Sequence, residues 1–396
     1  MKVCLVSQEY PPETAHGGIA TQTHAKAHGL AALGHNVHVI SHSTDAQRHE
    51  YRDGAVHVTR IPGFDSALRI NTEPARWLTY SALVAAEVGA LHARLGLDVV
   101  DFPEWGGEGF VYLLNRTAWD RAPVVVLHLH GPLIMLANTI GWPEKDSELF
   151  RIGTMMEGTC VRLADAVMSS SRCSADWCAE HYGIDASTIS VIHVGIDNNL
   201  FRPGVAERDG RPTIVFVGRV AFSKGVGTLV DAACVLADEM PDLRVRLIGR
   251  EEKGVREELE RRALAAKHAE LLEFPGLVQR TELPQALCRG HVFAAPSRYE
   301  GGPGFVYLEA MACGLPVIAC TGSGAAEVVH DGETGALVPP DDSFALVSAL
   351  RDLLRDAAYR ERIGTTARAF AVAEADSEAC ISRYERFLVS VVEGSS

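Results

Sequence analysis

The sequence predicts an α/β protein made of two Rossmann-like domains that face a central cleft. Three observations carry the prediction. The chain has 396 residues, more than one hydrophobic core usually supports, so two domains are expected. Short apolar runs alternate with amphipathic helical segments, the pattern of a doubly wound parallel sheet. The series also breaks at a polar stretch after residue 204 and then starts again.

The first series opens with a strand at Lys2–Ser7, a loop holding Gly17 and Gly18, and a helix with Ile19, Ala27, Leu30 and Leu33 on one face. Gly34 ends that helix. Strands follow at Val37–Ser41 and Val56–Arg60, then a long helix from about Pro74 to Leu95, a strand at Asp98–Asp101, a helix from Glu108, and the β-branched run Val124–His130. Ala166–Ser170 and Ile189–Val194 read as the last strands of this sheet. Glu207–Pro212 is polar and reads as a linker, dividing a first domain of residues 1–204 from a second of 205–375. There the series restarts with a strand at Thr213–Gly218 and a helical stripe of Val226, Leu229, Val230, Ala233, Leu236, Ala237 and Met240. Arg244–Ile248, Leu271–Phe274, His291–Ala295, Pro316–Cys320 and Ala336–Val338 are the further strands. Beyond Asp341 the chain is almost continuously helical. In residues 376–396, Ile381, Tyr384, Phe387, Leu388, Val391 and Val392 form a stripe that needs cover, and a return to the first domain would supply it.

Composition narrows the function. A 47% hydrophobic, 22% charged chain is an ordinary globular protein. The net charge of −14 disfavours nucleic acid and anionic membranes as partners, so any anion site must be local. The opening apolar run is too short for a signal-peptide core. The longest apolar stretch, Ala122–Ala137, is interrupted by His128, His130, Gly131 and Pro132, so no stable membrane insertion is expected. Nine cysteines without a C-x-x-C spacing argue against an oxidising compartment, and a cytoplasmic location is expected. Nothing in the sequence fixes an oligomeric state.

Ligands of such folds sit at the carboxyl ends of the parallel strands. The Gln8–Gly18 loop is either a tight turn or a place where backbone N–H groups at a helix start approach a phosphate. Gly218-Arg219-Val220-Ala221-Phe222-Ser223-Lys224-Gly225 joins a strand to a helix; its cations are either solvated or a diphosphate clamp. Pro296-Ser297-Arg298-Tyr299-Glu300-Gly301-Gly302-Pro303-Gly304 sets Glu300 in a glycine-rich turn, with Glu309 in the helix that follows. Carboxylates in that setting suit hydrogen bonds from sugar and ribose hydroxyls.

Gly218-Arg219 with Lys224-Gly225, then Pro296-Ser297, Glu300 and Glu309-Ala310-Met311-Ala312-x-Gly-x-Pro-Val317-Ile318-Ala319, then Gly332-x-x-Gly335-x-Leu337-Val338, closely resemble the family 4 retaining glycosyltransferases of the GT-B fold. The resemblance covers nearly the whole chain. It implies a hexosyltransferase that uses a nucleotide sugar, foremost a UDP-sugar, as co-substrate, with no further cofactor and no metal. Arg219 and Lys224 would hold the donor diphosphate, with Gly17, Gly18 and Gly218 close to the phosphates. Glu309 would bind the ribose and Glu300 the sugar, with Val278, Gly304, Phe305 and Val306 beside the donor. His130 would touch the transferred sugar, and Glu327 would lie near it. The family spaces its two glutamates by seven residues; here eight intervene, the extra one within Gly301–Gly304.

The catalytic set is therefore His130, Arg219, Lys224 and Glu300. No D-x-D occurs, so the usual carboxylates for a nucleotide-bound divalent ion are missing. His128 and His130 share a strand face, yet a zinc site would need further ligands. Glu104 could be a carboxylate nucleophile for double displacement, although with Trp105 it is expected to shape the acceptor pocket. The acceptor is expected to be a soluble small molecule or saccharide. Competing readings are a nucleotide-sugar binding protein without turnover, a phosphorylase-like or epimerase chemistry, and an NAD-dependent oxidoreductase, against which stands the lack of a G-x-G-x-x-G order.

Overall fold

The computed structural model describes all residues except 15–16, 46, 64–71, 119–120, 194 and 395–396. The chain divides into two compact units, Met1–Val194 with Glu378–Ser396, and Gly195–Ser377. The division falls ahead of the polar Glu207–Pro212 stretch for a physical reason. The Ile196 N–H donates to the Ala375 carbonyl at 2.8 Å and the Ser377 N–H to the Ile196 carbonyl at 3.0 Å, tying residues 196–201 to the second unit. Arg368 adds a donation to the Phe201 carbonyl at 2.8 Å.

In the first unit the strands are β1 (Lys2–Val6), β2 (Asn36–Ser43), β3 (His49–Asp53), β4 (Val56–Pro62), β5 (Val99–Pro103), β6 (Val124–Leu129), β7 (Ala166–Ser169) and β8 (Ile189–Val191). They form one sheet in the order β3-β4-β2-β1-β5-β6-β7-β8. Every pairing is parallel except β3 with β4. The β-branched runs build buried central strands because helices cover both faces. On one face Val100, Phe102, Val125 and Leu127 pack in a core with Trp77, Tyr80, Val84 and Val88 of the helix Glu73–Leu95. On the other, Val3, Leu5, Val37, Val39 and Val126 share a core with Ala27 and Leu30 of the helix Gly18–Ala32. Tyr384 and Leu388 of the terminal helix Ser377–Gly394 belong to that second core. The expected strand to Val194 stops at Val191, and Val194 lies outside the described residues.

The second unit repeats the plan with β9 (Thr213–Val217), β10 (Arg244–Ile248), β11 (Leu272–Gly276), β12 (Val292–Ala294), β13 (Val317–Cys320) and β14 (Gly335–Val338). All its pairings are parallel, in the order β11-β10-β9-β12-β13-β14. In each sheet the chain starts centrally and winds outward in both directions, which places switch points at β1/β5 and β9/β12. Crevices at the carboxyl ends of those strands are where such folds bind ligands. Among the described residues no helix is long and apolar enough to cross a membrane.

Candidate active site

In the second unit, β9 runs into Gly218 and Arg219, and a short 3₁₀ turn, Phe222–Lys224, leads to the helix Val226–Ala237. Gly225 joins them at φ +75°, and a Cβ there would stand 1.9 Å from the Pro296 carbonyl oxygen. Only glycine lets the lysine turn lie this close to the chain leaving β12. Lys224 Nζ consequently donates to Glu300 Oε1 at 2.7 Å and to the Tyr299 carbonyl at 3.3 Å. The Arg298 N–H donates to the Ser223 carbonyl at 3.1 Å, and the Gly324 N–H to the Glu300 carbonyl at 2.8 Å. Three loops thus fix the position of Glu300. Arg219 is looser: its side chain is 57% exposed, against 24% for Lys224, with Glu252 at 3.3 Å.

Glu300 stands next to a helix start. Gly304 caps the helix Phe305–Ala312 at φ +72°, ψ 114°, and a Cβ on it would lie 3.9 Å from Glu300 Oε2. The first N–H groups of a helix have no partner within it, so Phe305 and Val306 offer donors and a partial positive charge beside the carboxylate and the ammonium. One turn on, Glu309 is 1% exposed, with Arg280 Nη1 at 2.6 Å from its Oε1, close but not aligned as a hydrogen bond. Burial pushes the Glu309 carboxyl up, and the Arg280 guanidinium opposes that. Val278 is half-buried in the same segment after β11. The structure therefore brings Lys224, Glu300 and Gly304 together, sets Glu309 on the helix they adjoin, and leaves Arg219 at the exposed edge of the β9 turn. Glu327 closes the 3₁₀ turn Gly324–Glu327, which is bonded to the Glu300 backbone.

In the first unit, Gly17 caps the helix that Gly18 begins, and a Cβ on Gly17 would stand 3.1 Å from Glu9 Oε2. A carboxylate already lies against this positive helix end. Ala15 and His16 of the same loop lie outside the described residues. His130 follows β6 and is half-buried; burial, then the Lys26 charge, pushes its imidazole down to about 3. It is a neutral hydrogen-bonding group near neutral pH. The backbone N–H of His130 donates to Glu104 Oε1 at 2.6 Å, and the backbone N–H of Gly131 donates to the same oxygen at 2.5 Å.

Glu104 corrects an expectation. A side chain with 0% exposure cannot line an acceptor pocket or attack a sugar. Instead it clamps the backbone that carries His130. Burial pushes its carboxyl up to about 7 against the pull of those two amides. Trp105 lies between Trp77 and Trp142, with ring centroids 5.7 and 6.1 Å away. His128 is committed to a buried network: Lys26 meets it and also donates to Asp101 at 2.7 Å, Ser170 Oγ lies 2.9 Å from its Nε2, and the Tyr384 hydroxyl meets Asp101. It has no lone pair to spare for zinc. Among the described residues, the group placed to hold a metal is His24, His28 and Asp53, a set that the sequence did not single out.

Two family models match the chain, one described as "Glycosyl transferase 4-like domain" over residues 17–195 and the other as "Glycosyl transferases group 1" over 211–356. Together they take in the second sheet, the first sheet apart from β1, and Gly17, Gly18, His130, Arg219, Lys224, Val278, Glu300 and Glu309. The chain belongs to the family 4, group 1 glycosyltransferases. This glycosyltransferase is 29% identical to a GDP-mannose-dependent α-(1-6)-phosphatidylinositol monomannoside mannosyltransferase of Mycolicibacterium smegmatis, over 93% of each chain. It is also 29% identical to a glycogen synthase of Mycobacterium tuberculosis, over 93% of this chain and 89% of that one. Among solved structures it is similar to sucrose-phosphate synthase from Thermosynechococcus elongatus, at TM-score 0.85, 23% identity and 99% coverage of both chains. The fold is of the GT-B type, with two Rossmann-like units.

Two residues of the glycosyltransferase carry structural roles that the sequence did not reveal. Arg280 sets its guanidinium against the buried Glu309 carboxylate and lies over the Phe201 ring, 5.2 Å from its centroid. Glu108 is 1% exposed and accepts the Gln8 N–H at 3.2 Å, which fixes the start of the loop after β1; burial pushes its carboxyl up to about 8. No local signal marks either, because both depend on partners far away in sequence.

Proposed function

We propose that this enzyme moves a hexose-type sugar from a nucleotide sugar, foremost a UDP-sugar, to a soluble small-molecule or saccharide acceptor, with retention of configuration and without a divalent ion. The observation that carries the reading is the contact of Lys224 with Glu300 at 2.7 Å beside the start of the helix at Gly304. A donor diphosphate reaching that point would meet the Lys224 ammonium, the N–H groups of Phe305 and Val306, and the exposed Arg219. Charge that builds on a departing diphosphate is stabilised by such preorganised donors. Glu300 would then be released to the sugar hydroxyls, and Glu309 would accept from the ribose. Val278 and Gly218 fit the edges of the same donor site.

In this reading the acceptor attacks from the face that the diphosphate leaves, and a donor phosphate oxygen takes its proton. His130, neutral at working pH, contributes a hydrogen bond to the transferred sugar, and Gly17 and Gly18 a phosphate approach. The full burial of Glu104 speaks against a carboxylate nucleophile at that position. The relative from Mycolicibacterium smegmatis is named as GDP-mannose-dependent, which makes GDP the competing nucleotide.

Thermal shift with UDP, GDP, ADP and TDP is expected to give the largest stabilisation with UDP; a larger shift with GDP replaces the donor assignment. Lys224→Ala should lower kcat/KM by roughly 10²–10³-fold with Tm unchanged. Wild-type turnover in that variant would remove the diphosphate clamp. Turnover in EDTA should equal that in magnesium, and NMR of the product should show the donor's anomeric configuration.

A further inference from the structure

We propose that His24, His28 and Asp53 form a binding site for one divalent transition ion of the zinc class, apart from the residues assigned to the donor. His24 and His28 stand four residues apart on the helix Gly18–Ala32, so their side chains leave the same face one above the other. Their ring centroids are 4.2 Å apart. Asp53 ends β3, in the antiparallel pair β3/β4. Both imidazoles aim Nε2 at one carboxylate oxygen: His24 Nε2 is 3.5 Å and His28 Nε2 2.9 Å from Asp53 Oδ2. One ligand atom from each residue lies within 4.8 Å of the others.

A tetrahedral zinc ion with ligands at about 2.0–2.1 Å has ligand-to-ligand edges of about 3.3 Å, close to these separations. Two imidazole nitrogens and one carboxylate select a borderline ion over calcium or magnesium, which take oxygen ligands. The two neighbouring imidazoles present their Nε2 atoms to the same carboxylate oxygen. An ion between them satisfies both nitrogens and the carboxylate at once. The surroundings also fit a ligand set: the buried Tyr10 donates its hydroxyl to Asp53 Oδ2 at 2.9 Å, the outer hydrogen bond that orients a ligating carboxylate. The three side chains are 34–41% exposed, so an ion can enter and a water can complete the fourth position.

The site lies about 9 to 15 Å along the helix from Gly18 at 1.5 Å per residue. Its effect is to fasten the helix that begins at Gly17 and Gly18 to the β3/β4 edge, and it takes no part in the transfer. Nothing in it depends on the donor or the stereochemistry proposed above.

The test is a titration of chelator-treated full-length protein with Co²⁺ and Zn²⁺. Wild type should develop the visible band of imidazole-bound cobalt with one equivalent per chain, lose it to zinc, and gain several degrees of Tm with zinc. His24→Gln and His28→Gln should each lose the band and the Tm gain, and Tyr10→Phe should bind about tenfold more weakly. Each variant's metal-free Tm reports whether it is folded; the half-exposed His24 and His28 positions tolerate the change. Absence of saturable cobalt binding in wild type, or equal binding in both histidine variants, overturns the site. Turnover separates this proposal from the metal-free donor reading. If EDTA abolishes transfer while both histidine variants remain active without cobalt binding, the donor reading falls and this site stands.

Discussion

Glu104 shows how far a single residue can depart from its local sequence. The strand expected at Asp98–Asp101 runs on to Pro103, which sets Glu104 directly after β5, and nothing nearby in sequence tells that this acid is sealed. Its Oε1 receives two backbone N–H groups from beyond β6, and its Oε2 has no hydrogen-bond partner among the described residues. The consequence is a pH dependence. A carboxyl raised from 4.5 to about 7 in the fold holds a proton that the unfolded chain has released, so its contribution is fully present below about pH 4.5 and is lost as pH rises through about 7. At 1.36 kcal/mol per pKa unit that loss is on the order of 3 kcal/mol. Urea unfolding of Glu104→Gln should therefore show a smaller fall in stability between pH 5 and pH 8 than wild type; an identical fall would mean that the carboxyl does not titrate there. The Lys224–Glu300 pair was legible as a motif and its geometry was not, since the partners are 76 residues apart.

Elements were legible where burial imposes a period. The strands of both sheets stand out because helices on both faces demand apolar side chains along their whole length. The strand β3 was missed for the opposite reason: His49-Glu50-Tyr51-Arg52-Asp53 is an antiparallel edge whose pairing uses backbone groups and buries little. That omission also hid the metal-capable group, because Asp53 ends that strand. The terminal helix Ser377–Gly394 offers a test of element packing. A Cβ built on Gly29 of the helix Gly18–Ala32 would lie 2.7 Å from Ile381 Cγ1 and Cγ2. Helix propensity alone predicts that Gly29→Ala stabilises by up to about 1 kcal/mol. The packing predicts the reverse sign, a destabilisation of about 1–3 kcal/mol from overpacking. Adding Ile381→Ala should recover part of it, a coupling that a double-mutant cycle measures. A stabilised single variant would show that the terminal helix does not dock as described.

At the scale of the whole chain, the repetition of the βα series and its polar interruption were enough to read two Rossmann-like halves, because each half must bury its own sheet. The joint was harder to read. Residues 196–201 look like the tail of the first series, yet Ile196 is held by Ala375 and Ser377, and these hydrogen bonds come from a segment almost two hundred residues away. The result is an asymmetry between the units. Gly195–Ser377 is one uninterrupted segment with a complete six-stranded sheet, whereas the first unit is assembled from Met1–Val194 and Glu378–Ser396. All residues assigned to the donor except Gly17, Gly18 and His130 lie in the uninterrupted segment. Expressed alone, residues 195–377 should fold with a single cooperative transition and bind the donor nucleotide within about tenfold of the full chain by calorimetry, since the charged side chains assigned to the diphosphate and ribose, Arg219, Lys224 and Glu309, are all local to it. Residues 1–376 should behave differently. Without the terminal helix, Ala27, Leu30 and the aliphatic residues of β1 and β2 lose the cover of Tyr384 and Leu388, and the Asp101 carboxylate loses the Tyr384 hydroxyl. That truncated chain should unfold at a markedly lower temperature in its first unit while the nucleotide-dependent shift of the second persists. Loss of nucleotide binding in the isolated 195–377 segment, with its fold intact by circular dichroism, would place the decisive donor contacts on the first unit instead.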